Sequence, residues 1–324
     1  MASTLLGVGS PLLDVLAQVS DDFLERHVSG AKGGMEMISP ADRSELMRRL
    51  GDDVTWAPGG SAGNTVFALA KLGVPVAMLG KTGKDKEGAF YREKLRVLGG
   101  SDREFSETSD APTGVCVSLI TPDAERTMRS DLAAAMLLDE NDVKKVDFSR
   151  YDVVLIEGYM LFSPTFDTVF GMAKKAGCAI AFDLASFEVV RLFRDRVKKL
   201  LEDVDILFAN ADEARELAGD LPPEKQLAAL SADRAVTALK LGREGALVKG
   251  GGETLCVPAR LVENPVDTTA AGDLWAAGFL YGFLNARPLE KCARCGALLA
   301  GEVVKVIGSQ LPEEVWKKIA KELD

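Results

Sequence analysis

The chain has 324 residues, 47% of them hydrophobic, and a formal net charge of −10 from 49 acidic and 39 basic side chains. A chain of this length buries roughly three quarters of its unfolded surface, so one globular domain over 1–324 with a small appendage is expected. The acidic balance, with no basic stripe, argues against nucleic acid as a partner. The single histidine, His27, argues against multi-histidine zinc sites and a Ser-His-Asp mechanism.

The five cysteines are Cys116, Cys178, Cys256, Cys292 and Cys295. An odd number in mostly apolar contexts reads as reduced thiols of a cytoplasmic protein. Cys292 and Cys295 have redox-motif spacing but sit in a late helical segment without a second pair, and read as structural. The N-terminus is apolar, lacks a basic leader and is interrupted by Asp14, so it reads as a first strand and not a signal peptide. No apolar run is long enough to span a bilayer, so no membrane partner is expected.

Residues 4–8 form that strand, and its end presents Ser10 and Asp14. Gly7 and Gly9 mimic a dinucleotide fingerprint, but no helix opens behind them. Ser39 and Pro40 start a helix, as cap and first-turn residue. Met35 and Met37 fit either a flat ligand or the core. Gly59-Gly60-Ser61-Ala62-Gly63-Asn64 reads as a loop before a helix over 65–72: the glycines let the backbone pass close to a ligand, and Asn64 offers a donor and an acceptor. Gly80-Lys81-Thr82 looks like the end of a phosphate-binding P-loop, but Pro75 stands where that loop needs glycine.

Residues 112–120 alternate like a strand, 121–123 turn, and 125–129 return as a hairpin. Cys116 and Ser118 then share a face. Arg126 in that hairpin either reaches a phosphate or is solvated. Five apolar runs from 153 to 249, mostly separated by helical stretches, predict an α/β protein: a doubly wound, mostly parallel sheet with helices on both faces. Phe187, just after one of these runs, is a candidate stacking ring. Asn210, after the run ending at Phe208, reads as a helix cap. Lys240, read by itself, points to solvent.

Late in the chain comes Asp267-Thr268-Thr269-Ala270-Ala271-Gly272-Asp273, followed by an apolar run to Leu284 without a β-branched residue. That run reads as a buried helix. Its polar N-terminus is an anion site. Asp273 there either caps the helix or takes the proton of a hydroxyl attacking phosphorus. In the last helices, 289–306, the small residues Gly296, Ala297 and Ala300 leave room for an adenine ring.

Asp-Thr-Thr-Ala-Ala-Gly-Asp resembles the Asp-Thr-x-Gly-Ala-Gly-Asp signature of the ribokinase-like (PfkB) carbohydrate and nucleoside kinases. Ser10-Pro11-Leu12-Leu13-Asp14, Gly59-Gly60 with Asn64, Asn210-Ala211-Asp212-Glu213 and Leu241-Gly242-Arg243-Glu244-Gly245 also resemble family motifs. The opening and Asp131-Leu132-Ala133-Ala134-Ala135 are similar to the adenosine kinase group. The resemblance implies a ribokinase-like fold with a small β-sheet lid from about 14–38 and 112–130. It implies ATP-dependent phosphorylation of the primary hydroxyl of a ribonucleoside, adenosine foremost.

In that resemblance Asp273 is the general base, and Ala270, Ala271 and Gly272 line the anion hole. Asp14 holds ribose hydroxyls, since a carboxylate accepts two hydrogen bonds from a diol. Ser10, Gly60, Asn64, Met35, Cys116, Ser118 and Phe187 complete the substrate side. Asn210, Lys240, Gly242, Gly245, Thr268 and Ala297 take ATP. Glu213 and Asn210 place Mg²⁺ through water, and a monovalent cation is left open. Ala270 departs from the family's glycine: at positive φ it costs about 1–2 kcal/mol, at negative φ nothing. The alternatives are a sugar kinase of this fold and a non-catalytic nucleoside or nucleotide sensor. Partners are small molecules, and a monomer or homodimer is expected.

Overall fold

The computed structural model describes residues 3–123, 125–231, 234–268 and 270–323, so Thr269 of the late motif lies outside the described residues. The chain opens with β1 (Leu5–Val8) and passes into β2 (Leu12–Gln18), which belongs to a different sheet. α1 (Asp21–His27), β3 (Met35–Met37) and α2 (Pro40–Leu50) follow. Ser39 caps α2 by accepting the Asp42 amide, and Pro40 occupies the first turn, where its missing N–H costs nothing. β4 (Thr55–Gly59) carries Pro58, which argues against a strand. It is nevertheless one, because it is an edge strand, where proline is tolerated.

α3 covers Ser61–Lys71. The expected loop up to Asn64 is therefore helix from Ser61 onward. Gly60, at φ +84°, makes the turn that lets it start early. β5 (Val76–Gly83), α4 (Lys86–Val97) and β6 (Phe105–Thr108) come next. Gly80-Lys81-Thr82 is thus strand and not loop. A lysine fits this buried strand because Asp142 neutralises it at 2.6 Å. The hairpin forms as expected, β7 (Gly114–Ile120) against β8 (Arg126–Asp131).

After α5 (Glu140–Lys144) the chain alternates. β9 (Val153–Glu157), α6 (Phe166–Ala176), β10 (Ala179–Asp183), α7 (Phe187–Leu192), α8 (Arg194–Leu200) and β11 (Ile206–Asn210) come first. α9 (Ala211–Ala218), α10 (Pro223–Ser231), β12 (Val236–Lys240), β13 (Ala246–Gly250) and β14 (Glu253–Val257) complete the alternation. Three helices close the chain: α11 (Ala271–Leu284), α12 (Leu289–Val303) and α13 (Glu313–Leu323).

The large sheet has the order β14-β13-β12-β11-β10-β9-β1-β5-β6. It is parallel from β12 to β6, with β13 and β14 antiparallel at one edge. Its strands are buried on both faces, each face carrying its own core, which explains their continuous apolar runs. The small sheet has the order β3-β8-β7-β2-β4. One of its faces packs Val15, Ala17, Val115 and Val117 against Leu24 of α1 and Leu46 of α2. By strand alternation the opposite face carries Asp14, Cys116, Ser118 and Arg126.

α11 is buried on nearly every side. Its glycines set the approach of α12: a Cβ at Gly278 would stand 2.3 Å from the Cys295 carbonyl oxygen. Cys292 and Cys295 are free, buried thiols at this contact, and burial pushes Cys292 up to about 11. A reactive thiol needs the reverse. A Cβ at Gly296 would lie 2.9 Å from the Trp275 ring. Gly296 therefore makes room for Trp275, and not for an adenine.

Candidate active site

Because the strands are parallel, their C-terminal ends share one edge, the usual ligand edge of such a sheet. Glu157, Asp183, Asn210 and Lys240 are the last residues of β9, β10, β11 and β12. The N-termini of α3 and α11 meet there. The Ser61 hydroxyl donates to Asp273 Oδ1 and Asn64 Nδ2 to Asp273 Oδ2, both at 2.8 Å. The Thr65 hydroxyl donates to the Asp273 carbonyl at 3.0 Å. A carboxylate in the first turn of α11 is thus aimed by two residues of α3, and a third holds its backbone.

Burial drives the Asp273 carboxyl up to about 7. The Asn64 and Ser61 hydrogen bonds and Lys240 pull it down, and Asp183 pushes it up. A carboxylate poised near neutrality suits general-base work. Ala270 has φ −89°, so alanine carries no left-handed strain where the related signature has glycine. The Ala271 amide donates to the Thr268 carbonyl at 3.1 Å, and the first turn of a helix presents its remaining N–H groups to an anion.

Glu157 carries no motif that marks it. It is 2% exposed, accepts the Ser10 amide at 2.9 Å and accepts the Ala62 amide at 2.8 Å. It therefore ties the β1–β2 turn to the first turn of α3. Burial raises it to about 7. Asp183 is equally unmarked in sequence: its Oδ2 accepts from Lys240 Nζ at 3.0 Å, and its Oδ1 accepts the Ala185 amide. Lys240 does not point to solvent, since its side chain is 12% exposed. Burial weakens its charge, but Asp183 and Glu213 outweigh that and raise it overall.

Asn210 and Glu213 form a reciprocal cap on α9: Asn210 Oδ1 accepts the Glu213 amide at 2.9 Å, and Glu213 Oε2 accepts the Asn210 amide at 2.7 Å. Burial raises Glu213 to about 7, against the pull of Lys240. Among the described residues, no cluster of three His, Cys, Asp or Glu side chains is placed to ligate a metal ion directly. Asp183 raises both Glu213 and Asp273, and acidic oxygens gathered in this way fit a hydrated hard cation held through water.

On the small sheet, Asp14 is buried, and burial first of all raises it to about 6. Arg126 departs from the reading of it as a solvated hairpin residue. Its side chain is 8% exposed, donating to Asp267 Oδ2 at 2.8 Å and to the Ser118 hydroxyl at 2.7 Å, with Asp14 at 4.0 Å. Asp267 Oδ2 also accepts the Gly308 amide. Cys116 and Ser118 share a face, with Sγ and Oγ 3.9 Å apart.

Some predicted residues are not drawn into this cluster. Met35 and Met37 are exposed on edge strand β3, which rules out core filling. Phe187 is exposed at the start of α7, with Arg191 over its ring. Gly242 and Gly245 sit at positive φ in the turn after β12. A Cβ at Gly245 would stand 2.1 Å from the Val257 carbonyl oxygen. Thr268 is exposed. Ala297 lines a cavity of about 370 Å³ with Val257, Pro258, Arg260 and Arg287.

Residues 32–316 match the profile of the pfkB family carbohydrate kinase. Adenosine kinase 2 of Arabidopsis thaliana is 25% identical over 96% of each chain. A 5-dehydro-2-deoxygluconokinase of Geobacillus kaustophilus is 27% identical over 81% of this chain and 83% of its own. The crystal structure of adenosine kinase from Sinorhizobium meliloti superposes with a TM-score of 0.88 at 31% identity, covering 99% of this chain and 100% of that one. A probable sugar kinase from Rhizobium etli CFN 42 gives 0.86 at 30% identity, covering 99% of each. No helix among the described residues is long and apolar enough to cross a membrane.

Proposed function

The chain belongs to the pfkB family of carbohydrate kinases, phosphotransferases with an alcohol acceptor, and on that premise we propose that it phosphorylates the primary hydroxyl of a ribonucleoside, adenosine foremost, at the expense of ATP. Asp14 supports the ribose half of this reading, which a free sugar with a vicinal diol would share. The residue is a buried carboxylate on the inward face of the small sheet, beside Cys116 and Ser118, and it can accept both hydrogens of a ribose diol. The full-length similarity to the Sinorhizobium meliloti adenosine kinase is what favours a nucleoside over a free sugar.

On this reading the small sheet is a lid, and the substrate lies beneath it against Ser10, Gly60 and Asn64. ATP occupies the side of Asn210, Gly242, Gly245, Thr268 and Ala297. Asn210 and Glu213 would hold Mg²⁺ through water, and the ion would supply charge neutralisation at the phosphates. Asp273 accepts the proton of the acceptor hydroxyl. That oxygen attacks the γ-phosphorus while the bond to the β–γ bridging oxygen breaks, and ADP departs with the electron pair. The amides at the start of α11 stabilise the charge on the transferring group.

A sugar acceptor is the second reading, favoured by the likeness to the Rhizobium etli probable sugar kinase. ADP production from ATP·Mg²⁺ with adenosine, inosine, guanosine, cytidine, ribose and fructose decides between them. Adenosine is expected to turn over fastest. Turnover with a free sugar alone discards the nucleoside and keeps the mechanism. ATP binding without ADP release on any acceptor supports the sensor reading.

A further inference from the structure

We infer that Lys240 is a catalytic cation that swings from Asp183 onto the γ-phosphoryl group during transfer, a role that rests on the kinase reading above. The position of its ammonium is the first argument. A Cβ added at Gly272 would lie 3.2 Å from Lys240 Nζ, so the ammonium rests against the first turn of α11. A cation there faces the positive end of the helix dipole, which is unfavourable by itself. It is tolerated because Asp183 stands on its other side, at 3.0 Å. An anion docked at that turn would satisfy the helix and the lysine together.

The second argument is donor count. An ammonium has three N–H donors, and among the described residues one hydrogen bond holds this one, to Asp183. The stem runs past the Phe208 ring, with Nζ 6.0 Å from its centroid, and such a stem swings without breaking other polar contacts. Asp183 itself is fixed: its Oδ1 accepts the Ala185 amide at 3.0 Å, and Ala185 takes a φ of +66°. A fixed carboxylate that parks a flexible cation beside an anion site is what a reversible hand-over requires.

In the transfer itself Lys240 neither gains nor loses a proton. The acceptor oxygen forms its bond to the γ-phosphorus as the bridging bond to ADP breaks, and the hydroxyl proton goes to Asp273. Lys240 offsets the charge on the peripheral oxygens of the group in flight. Its contact is therefore with a group that ATP has and ADP lacks.

The test compares Lys240→Met with the double variant Lys240→Met/Asp183→Asn, which removes both buried charges together. Measured are kcat with the best acceptor, and Kd for ATP and for ADP without an acceptor. Both variants are expected to lose on the order of 10²-fold in kcat. Both should also weaken ATP binding by about tenfold while holding ADP within about threefold. Recovery of wild-type kcat in the double variant would make Lys240 a mere counter-charge to Asp183 and overturn the inference. Equal losses of ATP and ADP affinity overturn it too. The ATP-to-ADP comparison needs no acceptor, so it decides the role of Lys240 even where the nucleoside assignment fails.

Discussion

Asn64 Nδ2 stands 2.8 Å from Asp273 Oδ2, joining the first turn of α3 to the first turn of α11 across more than 200 residues of chain. On the proposed reading the contact holds the Asp273 carboxylate toward the acceptor hydroxyl. Asp273→Asn keeps the shape and removes the proposed base. It is expected to bind ATP like the parent and to lose roughly 10²–10⁴-fold in kcat. Steady-state ADP release with a parallel ATP titration checks this, and parent-like turnover would remove Asp273 from the mechanism.

The pH dependence follows from the same carboxyl. Burial, against the Asn64 hydrogen bond, sets it at about 7, and only the ionised form accepts a proton. The kcat profile should therefore fall about tenfold per pH unit below about 7. Asn64→Ala removes a hydrogen bond that favours the ionised form, so its acidic limb should move to higher pH. Stability runs the other way. A carboxyl raised in the folded state above its ordinary 3.8 gives stability present at low pH and lost as pH rises through about 7. Asp273→Asn should then gain melting temperature over the parent at pH 8 more than at pH 5.

Much of this fold can be read from the chain, because its strongest signals are local. The apolar runs of β9 to β13 and the α11 run announce a mostly parallel core, and Asn210 with Glu213 announces a cap. What stays hidden is long-range pairing. Arg126 looks like a hairpin surface residue until Asp267, 141 positions away, closes on it. Glu157 and Asp183 look like ordinary strand ends, and only the parallel register puts them on one edge. Ala270 could not be judged from the sequence because its cost depends on φ, which the structure gives as −89°. α3 starts earlier than its sequence suggests, because glycine-rich composition signals a loop, whereas here Gly60 turns the chain straight into a helix.

Arg126 links the small sheet to the loop before α11. Its guanidinium and the Asp267 carboxylate are each 8% exposed, so removing one partner leaves a buried charge. Arg126→Gln is expected to cost about 3–5 kcal/mol, read as a lower midpoint in urea. Arg26→Gln, from the exposed pair with Asp22, should cost under about 1 kcal/mol. Arg126 also pulls Asp14 down against burial. Its loss should raise the Asp14 carboxyl further and weaken acceptor binding near pH 7. Equal stability of the two variants would show that the Arg126 pair contributes no more than a surface contact.

Gly60 tests whether the turn into α3 shapes the substrate side. Its φ of +84° costs an alanine about 1–2 kcal/mol, and a Cβ there would stand 2.3 Å from the Ser10 carbonyl oxygen. Backbone cannot rotate away as a side chain can, so the β1–β2 turn must shift and take Ser10 with it. That turn is also held by Glu157 through the Ser10 amide, so the displacement strains the contact that seats α3. Gly99→Ala is the control, since Gly99 has φ +87° and nothing within 4 Å of its would-be Cβ. Both variants should lose stability through backbone strain. Gly60→Ala alone should raise KM for the acceptor, by about tenfold or more if the shift costs the acceptor about 1.4 kcal/mol, with the KM for ATP little changed. A rise in both KM values would place the damage in α3 as a whole, because α3 also holds Asp273.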